Sequence, residues 1–419
     1  MVEVKLEEEK KVRCFLVGAP NKLNQEPVEL KGLVKTLGME VAGILTLTRI
    51  EPTPAYGMGT GKAQEIVDRA KECYAECIIF DWTIDPSKQR NWEKLALMPC
   101  FDRNEVIIRI FAQRAQTKEA ILQVELAKLT YSLPRLSHMY GDMARQRGGA
   151  FGNKGSGETQ KELDRRQVEE KILQIKKELE QVAVNRETQR KQRERTAISS
   201  CALVGYTNAG KSSLLNALTG ADVFVKNELF ATLDPTTRKL NLAEASQILI
   251  TDTVGFISNL PHTLIDAFKS TLEETALSDF LLIVVDANDN YCEFQYNQVL
   301  KVLEEIGADK IPHKVLLNKY DLVKNNLIAV SKLNKAFPDA LHVSAKTQEG
   351  FEDILSCLTE NLLGKLNNYS FPLEQSNLVE LIRKNGTIES EEWKETTVEL
   401  KARIKTDTRT YNMTKDFIC

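Results

Sequence analysis

Gly205-Tyr206-Thr207-Asn208-Ala209-Gly210-Lys211-Ser212 has the spacing G-x-x-x-x-G-K-S, a set of residue types suited to holding a polyphosphate. Gly205 and Gly210 let successive backbone N–H groups turn toward phosphate oxygens, Lys211 supplies a point charge for the β- and γ-phosphates, and the Ser212 hydroxyl suits Mg²⁺. The context is the one this pattern requires. Residues 198–204 read as a buried strand, and after Ser213 the residues Leu214, Leu215 and Leu218 give a helix its inward face.

The loop alone does not choose a base. Asn318-Lys319-Tyr320-Asp321 follows the apolar Val315-Leu316-Leu317 and so falls at a strand end, where open α/β sheets bind ligands. Asp321 there accepts hydrogen bonds from the N1–H and the exocyclic amine of guanine. Adenine lacks the amine and presents an acceptor at N1, a mismatch that costs a factor of about 10⁴ or more. Ser344-Ala345-Lys346 follows Leu341-His342-Val343 and suits a loop whose backbone N–H meets guanine O6. Between them, Asp252-Thr253-Val254-Gly255 follows Ile248-Leu249-Ile250: Asp252 suits Mg²⁺ through water, and the Gly255 N–H suits sensing of the γ-phosphate. Four such elements in this order predict a site for GTP or GDP with Mg²⁺.

These residues need a sheet to position them, and the chain is long enough for about three domains. Residues 13–101 alternate strand-like and helix-like stretches, which predicts a small α/β domain over 1–112. Within it Gly57-Met58-Gly59-Thr60-Gly61-Lys62 lacks both the leading glycine and a following Ser or Thr, and reads as a turn entering a helix. Helical sequence then runs over 104–133, where Leu122, Leu126, Leu129 and Leu133 form a stripe that Pro134 is expected to end. A second helix is expected from Thr159 to about Arg195, with Val168, Ile172, Ile175, Leu179 and Val182 at matching spacing amid alternating charges. Two matched stripes imply an antiparallel helical hairpin over 113–196, with two helices packed on different domains as the rival reading.

The connection, 134–158, carries Arg135, His138, Tyr140, Arg145, Arg147 and Lys154; from Pro134 to Gly157 its single acid is Asp142, and six glycines fall from Gly141 to Gly157. Two readings of it stay open: an RNA-facing surface, in which arginines pair with phosphate or stack on bases, and a flexible solvated loop. A nucleotide-binding domain with a mostly parallel sheet and flanking helices is expected over 197–368. After it comes a small α/β appendage over 369–419, helical near 373–382, with Val398, Leu400, Ala402 and Ile404 alternating along a half-buried strand and a polar, mobile tail from Thr406.

Composition narrows the setting. The apolar run 280–285 stops at Asp286, too short to span a bilayer, and the acidic Met1-Val2-Glu3-Val4 start has neither signal-peptide nor transit-peptide character. The eight scattered cysteines have no zinc-knuckle spacing and read as reduced thiols, so a cytoplasmic protein, monomeric when free, is expected. A net charge of −3 confines any nucleic-acid contact to local patches.

Beyond the nucleotide elements, the chain resembles the HflX family of GTPases over nearly all its length. The resemblance rests on Phe80-Asp81 with Ser87-Lys88-Gln89-Arg90-Asn91, on Gln123-Val124-Glu125-Leu126 leading to Leu133-Pro134-Arg135-Leu136, and on Gly157-Glu158-Thr159-Gln160 leading to Leu163-Asp164-Arg165-Arg166. It also rests on Leu229-Phe230-Ala231-Thr232-Leu233-Asp234-Pro235-Thr236-Thr237-Arg238. The resemblance implies a GTPase that binds the large ribosomal subunit, places the hairpin tip with Arg135, Arg145, Arg147 and Lys154 on ribosomal RNA, and separates stalled or idle ribosomes. A GTP-dependent assembly factor for the large subunit is the alternative, and a metabolic P-loop kinase a more distant one. The resemblance further implies nucleotide contacts along Phe230 to Asp234, with Thr232 reaching Mg²⁺ and the γ-phosphate, although Thr236 and Thr237 stand nearby. Three positions depart from the family's glycine-rich loop: Ala150 for glycine, Lys154 for arginine and Ser156 for proline, and Lys154 cannot make a bidentate contact. For hydrolysis, Lys211, Thr232 and Gly255 are the expected catalytic groups, but Phe256 follows Gly255 where many GTPases carry a water-orienting glutamine. Slow turnover alone, stimulated by the ribosome, is therefore expected.

Overall fold

The computed structural model describes residues 11–19, 26–50, 53–146, 156–194, 198–220, 229–230, 233, 235–243, 246–258, 272, 275–406 and 408–419. It divides into two units, one of Met1–Val182 with Asn227–Ala231 and Leu260–Phe268, the other of Ala183–Lys226, Thr232–Asn259 and Lys269–Cys419. Elements below are numbered over the described residues.

The first unit is built on a parallel sheet of β1 (Arg13–Gly18), β2 (Glu40–Thr46), β3 (Cys77–Phe80) and β4 (Cys100–Asp102), in the order β2-β1-β3-β4. Helices α1 (Val28–Thr36), α2 (Thr60–Glu72) and α3 (Pro86–Ala96) alternate with the strands. A strand covered on both faces has no polar side, and all four residues of β3 are buried. The glycine-rich stretch before Lys62 does start a helix, with Gly59 extended at its N-cap; Ala63, Ile66, Val67 and Ala70 then share the core with Phe15 and Val17.

Where the sequence suggests one helix over 104–133, two are present. Helix α4 (Arg103–Arg114) stops before Thr117, whose hydroxyl accepts the Ala120 N–H at 3.2 Å as α5 (Lys118–Gln146) begins. Pro134 does not end α5; it lies inside it. Side chains feed the carbonyls around the break in its ladder, Ser132 Oγ donating to Leu129 O at 3.0 Å and Arg135 Nη1 to Tyr131 O at 2.9 Å.

Arg135 is a second correction, because it is not part of an RNA-facing tip. Its Nε donates to Gln89 Oε1 at 2.8 Å and its Nη2 to Ile84 O at 3.0 Å, and Nη2 pairs with Asp102 Oδ2 at 3.3 Å. The guanidinium carbon lies 3.4 Å from the centroid of the Tyr131 ring. Asp102 is buried and also accepts the Tyr131 hydroxyl at 2.9 Å, the Ile84 N–H at 3.1 Å and the α4 cap N–H of Glu105 at 3.0 Å. Burial and the neighbouring Asp102 push the Tyr131 phenol far above its ordinary pKa and keep it a donor. Arg135 therefore locks α5 onto the sheet domain.

Helix α6 (Ser156–Glu194) runs back along α5: Lys171 pairs with Glu125 and Lys118 with Glu178, two ion pairs symmetric in sequence about Gly148, as an antiparallel hairpin requires. The helices reach into the expected connection 134–158 from both sides, α5 as far as Gln146 and α6 from Ser156. Arg147 and Lys154 lie outside the described residues, as does the side chain of Arg145.

The second unit carries β5 (Ser200–Gly205), α7 (Lys211–Thr219), β6 (Thr236–Ala243), β7 (Ser246–Asp252), β8 (Phe280–Asp286), α8 (Cys292–Glu305), β9 (His313–Asn318), α9 (Leu327–Ala336), β10 (Leu341–His342) and α10 (Phe351–Leu362). The strands form one sheet, β10-β9-β8-β5-β7-β6, parallel except for β6. Leu203, Leu214, Leu215, Ile250, Leu282 and Leu316 fill one core between sheet and helices.

A separate antiparallel sheet follows, β11 (Leu366–Pro372), β12 (Thr387–Trp393) and β13 (Thr397–Arg403) in the order β11-β13-β12, covered by α11 (Asn377–Asn385). The expected boundary after Asn368 falls inside β11. The tail is ordered, contrary to expectation: α12 (Arg409–Thr414) is capped by Thr408, Phe417 packs on Phe371 at 5.1 Å between centroids, and the Cys419 N–H donates to Asn368 O at 2.9 Å. Tyr411, Phe417 and Ile418 supply the apolar anchors that its polar average hides.

No disulfide is formed among the described residues, and no described helix is long and apolar enough to cross a membrane. Replacing Arg135 by Ala leaves Asp102 buried without its cation and is expected to destabilise the first unit by about 3 kcal/mol. Urea unfolding followed by tryptophan fluorescence checks this; an unchanged midpoint contradicts the role given to Arg135.

Candidate functional site

The C-terminal ends of β5, β7, β9 and β10 bring the motif residues together. At the end of β5, Gly205 has φ +154°, and a Cβ there would stand 2.3 Å from Val284 O. Gly210 has φ +94°, and its Cβ would stand 2.3 Å from Asn318 Nδ2. Only glycine satisfies both positions, so the two glycines of the motif are required by the fold as well as by an anion. Between them Tyr206, Thr207, Asn208 and Ala209 carry the loop to the N-terminus of α7, whose first turn holds Lys211, Ser212 and Ser213.

Lys211 is buried and folds back over the loop, its Nζ donating to Gly205 O at 3.1 Å and Tyr206 O at 3.0 Å. Burial pushes the ammonium down to about 8, with Asp252 opposing part of that shift. Asp252, at the end of β7, accepts the Ser212 hydroxyl at 2.5 Å. A hydroxyl and a fully buried carboxylate side by side are hard oxygen donors and fit Mg²⁺.

The segment after Asp252 is zipped to the phosphate loop. Thr253 Oγ1 donates to Leu203 O at 2.7 Å, Val254 is buried, the Phe256 N–H donates to Gly205 O at 3.1 Å, and the Thr207 N–H donates to Phe256 O at 2.8 Å. The Tyr206 phenol oxygen accepts the Ser258 N–H at 2.6 Å. This places Gly255 against the loop: a Cβ there would meet Thr207 Cγ2 at 2.8 Å and Lys211 Nζ at 3.1 Å. Phe256 itself is buried and brings no polar side chain.

The base-reading elements sit beside the loop. Asn318 donates from Nδ2 to Ala209 O at 2.8 Å and accepts the Ala345 N–H at Oδ1 at 3.1 Å. Lys319, at φ +60°, donates from Nζ to Asn208 O at 2.9 Å and pairs with Asp286 at 2.6 Å. Asp321 accepts the Ser344 hydroxyl at 2.7 Å, and Ser344 Oγ in turn accepts the Thr347 N–H at 3.1 Å. Tyr320 stacks flat on His342 with centroids 4.3 Å apart, and Lys346 is exposed next to Ala345.

Two participants escape a reading by motif. Asp286 ends a run noted only for its length, yet it holds Lys319; the Tyr206 phenol stands at a variable motif position, yet it holds the segment after Gly255. A strand-end Asp was the available signal for the first; the second has none. Phe230 is buried within the first unit, its ring on Phe111 at 4.6 Å, while the Leu229 N–H donates to Thr36 Oγ1 at 3.1 Å. Leu233 is buried; Ala231, Thr232 and Asp234 lie outside the described residues.

The lowered Lys211 pKa has a sign that binding can test. A polyphosphate favours the ammonium, so the bound-state pKa lies above the free value of about 8. Guanine-nucleotide affinity is expected to hold below pH 8 and to fall above it, with proton uptake on binding. Calorimetry at pH 8.5 in two buffers of different ionisation heat measures that uptake; none would contradict a buried, partly neutral Lys211.

Family models match three consecutive stretches of the chain: a "GTP-binding GTPase N-terminal" region over 24–112, a "GTP-binding GTPase Middle Region" over 114–193, and a "50S ribosome-binding GTPase" domain over 200–319. A GTPase HflX of Akkermansia muciniphila is 42% identical over 417 residues, covering 94% of this chain and 94% of that protein. A GTPase HflX of Escherichia coli is 41% identical over 345 residues, covering 82% and 81%. A crystal structure of a GTP-binding protein from Sulfolobus solfataricus in complex with GDP is 25% identical, with 84% of this chain and 99% of that chain covered and a TM-score of 0.44. Identity that runs through the N-terminal, middle and nucleotide regions alike, on top of the strand-end geometry, makes this chain a member of the HflX family of GTPases, a protein that binds guanine nucleotide and hydrolyses GTP.

Proposed function

We propose that GTP binding and hydrolysis here time an encounter with the large ribosomal subunit, in which the α5–α6 hairpin is the probing element and subunit separation the outcome. The observation that carries this reading is a nucleotide site built in full for binding and incompletely for hydrolysis. Phosphates are addressed by the loop amides of residues 205–213 and by Lys211, guanine by Asp321 with a backbone N–H of the Ser344-Ala345-Lys346 loop, and Mg²⁺ by Ser212, Asp252 through water, and Thr232. Lys319 and Asn318 hold these loops together, and Lys346 flanks the base.

Hydrolysis needs water placed in line with the terminal phosphorus and charge to stabilise the oxygens as the bond to the β-phosphate breaks. Lys211, the loop amides and the Gly255 N–H supply the charge. Phe256, buried and without a donor or acceptor in its side chain, leaves water placement underprovided. A partner that completes the site would raise turnover when, and only when, the protein is seated.

The name of the matching nucleotide-domain model, "50S ribosome-binding GTPase", supports the large subunit as that partner. The hairpin supports RNA contact through Arg145, Arg147 and Lys154; Arg135 is excluded because the first unit consumes its donors. This reading makes the protein cytoplasmic and monomeric when free.

Multiple-turnover GTPase assays are expected to show slow hydrolysis alone and at least tenfold stimulation by large subunits, on the order of what a completing group contributes. Sedimentation of intact ribosomes with the protein and a non-hydrolysable GTP analogue is expected to shift them toward free subunits. Equal rates with and without subunits would refute the timing role. Undivided ribosomes, with the protein on immature particles, would favour an assembly factor.

A further inference from the structure

We propose that the Thr207 hydroxyl is the group by which this chain addresses the attacking water and the terminal phosphate, in the place that Phe256 leaves without a polar side chain. The inference rests on the GTPase reading and names a residue for its least provided step.

Thr207 is 6% exposed, and its Oγ1 has no hydrogen-bond partner among the described residues. A buried hydroxyl left unmatched is destabilising, a cost that persists at sites where a ligand supplies the partner. Neighbouring hydroxyls are matched: Ser212 to Asp252, Thr253 to Leu203 O, Thr251 with Thr237, and Ser344 to Asp321. Thr207 stands apart from all four.

Its position is the second observation. A Cβ on Gly255 would lie 2.8 Å from Thr207 Cγ2, 2.9 Å from Thr207 Cα and 3.1 Å from Lys211 Nζ. Thr207, the phosphate-binding ammonium and the glycine of the D-x-x-G element therefore converge on one point. The backbone there is pinned by the Thr207 N–H to Phe256 O bond of 2.8 Å and, next door, by the Ser258 N–H to the Tyr206 phenol at 2.6 Å. A hydroxyl on a pinned backbone is pre-positioned and loses little freedom when it engages a ligand.

A threonine hydroxyl both accepts and donates, which a phenylalanine ring cannot. In the step proposed, the water oxygen bonds to the γ-phosphorus, the bond from that phosphorus to the β–γ bridging oxygen breaks, and its electron pair leaves on GDP. The water proton ends on the released phosphate. Thr207 accepts a hydrogen bond from the water, donates its own to a γ-phosphoryl oxygen, and is unchanged afterwards.

The rival role is packing of the Thr207 methyl over Gly255. Thr207→Val keeps the methyl and the volume and removes the hydroxyl, whereas Thr207→Ser does the reverse. Single-turnover hydrolysis by the full chain with large subunits, and the affinity for GDP by fluorescence titration, separate the two. Thr207→Val is expected to slow hydrolysis about 10- to 100-fold with GDP affinity within about threefold of wild type, and Thr207→Ser to keep at least about a third of the rate. Wild-type hydrolysis by Thr207→Val, equal losses in both variants, or loss of GDP affinity along with rate would each overturn the proposal. A wild-type chain inert toward GTP would overturn the GTPase reading itself, and is recognised before any variant is compared.

Discussion

The carboxamide of Asn318 joins three loops that share no sequence neighbourhood. It is 1% exposed, donates to the phosphate loop at Ala209 O and accepts from the Ala345 N–H of the loop after β10, while its own backbone carries Lys319 to Asp321 into the base-reading position. That amide occupies the space a Cβ on Gly210 would need, and the φ of +94° there is a second, independent requirement for glycine. Lys319 adds a brace of opposite chemistry, an ammonium held between Asn208 O and Asp286. Each hydrogen bond contributes about 1 kcal/mol net, but a buried amide with its partners removed costs more than it contributes when paired. Phosphate recognition and base recognition therefore stand or fall together.

A similar economy shapes the first unit. Asp102 ends β4, caps α4 and receives Tyr131 and Arg135 from α5, so one buried carboxylate fixes the helical hairpin's root to the sheet. Gln89 and Arg135, both in segments that carry the family resemblance, meet there at 2.8 Å. A positive charge in a glycine-rich neighbourhood suggests RNA when read along the chain; in space Arg135 is a fold residue.

That contrast explains what the sequence could and could not reveal. Strand ends are legible because β5 and β8 are buried over nearly their whole length and β7 and β9 toward their C-terminal ends, so each carries an apolar run that stops at a functional residue. Gly205, Asp252, Asn318, Asp321 and Ser344 are placed in this way by the runs they follow, and Lys211 by the loop that Gly205 opens. Partners were not legible. Periodicity reports which face of an element is buried but not what meets it, so neither the helix that Ser132 and Arg135 carry through Pro134 nor the turn of Arg135 back onto the sheet domain is visible in it. The tail after Thr406 was misjudged by its polar average, since three apolar anchors suffice to dock it.

The same braced site holds groups that are costly without a ligand: an ammonium whose pKa burial lowers, and a hydroxyl with no partner among the described residues. Such groups fit a polyphosphate ligand, and the base is where the identity of the nucleotide is decided. Competition binding with Asp321→Asn tests it most directly. A carboxylate accepts from both the N1–H and the amine of guanine, whereas a carboxamide accepts one hydrogen bond and donates one, matching xanthine, which has a carbonyl where guanine has its amine. The substitution is predicted to turn a preference for GTP over xanthosine triphosphate into the reverse, by on the order of 10²-fold or more. A variant that still prefers GTP as strongly as the wild type would contradict the assignment of Asp321, and with it the site.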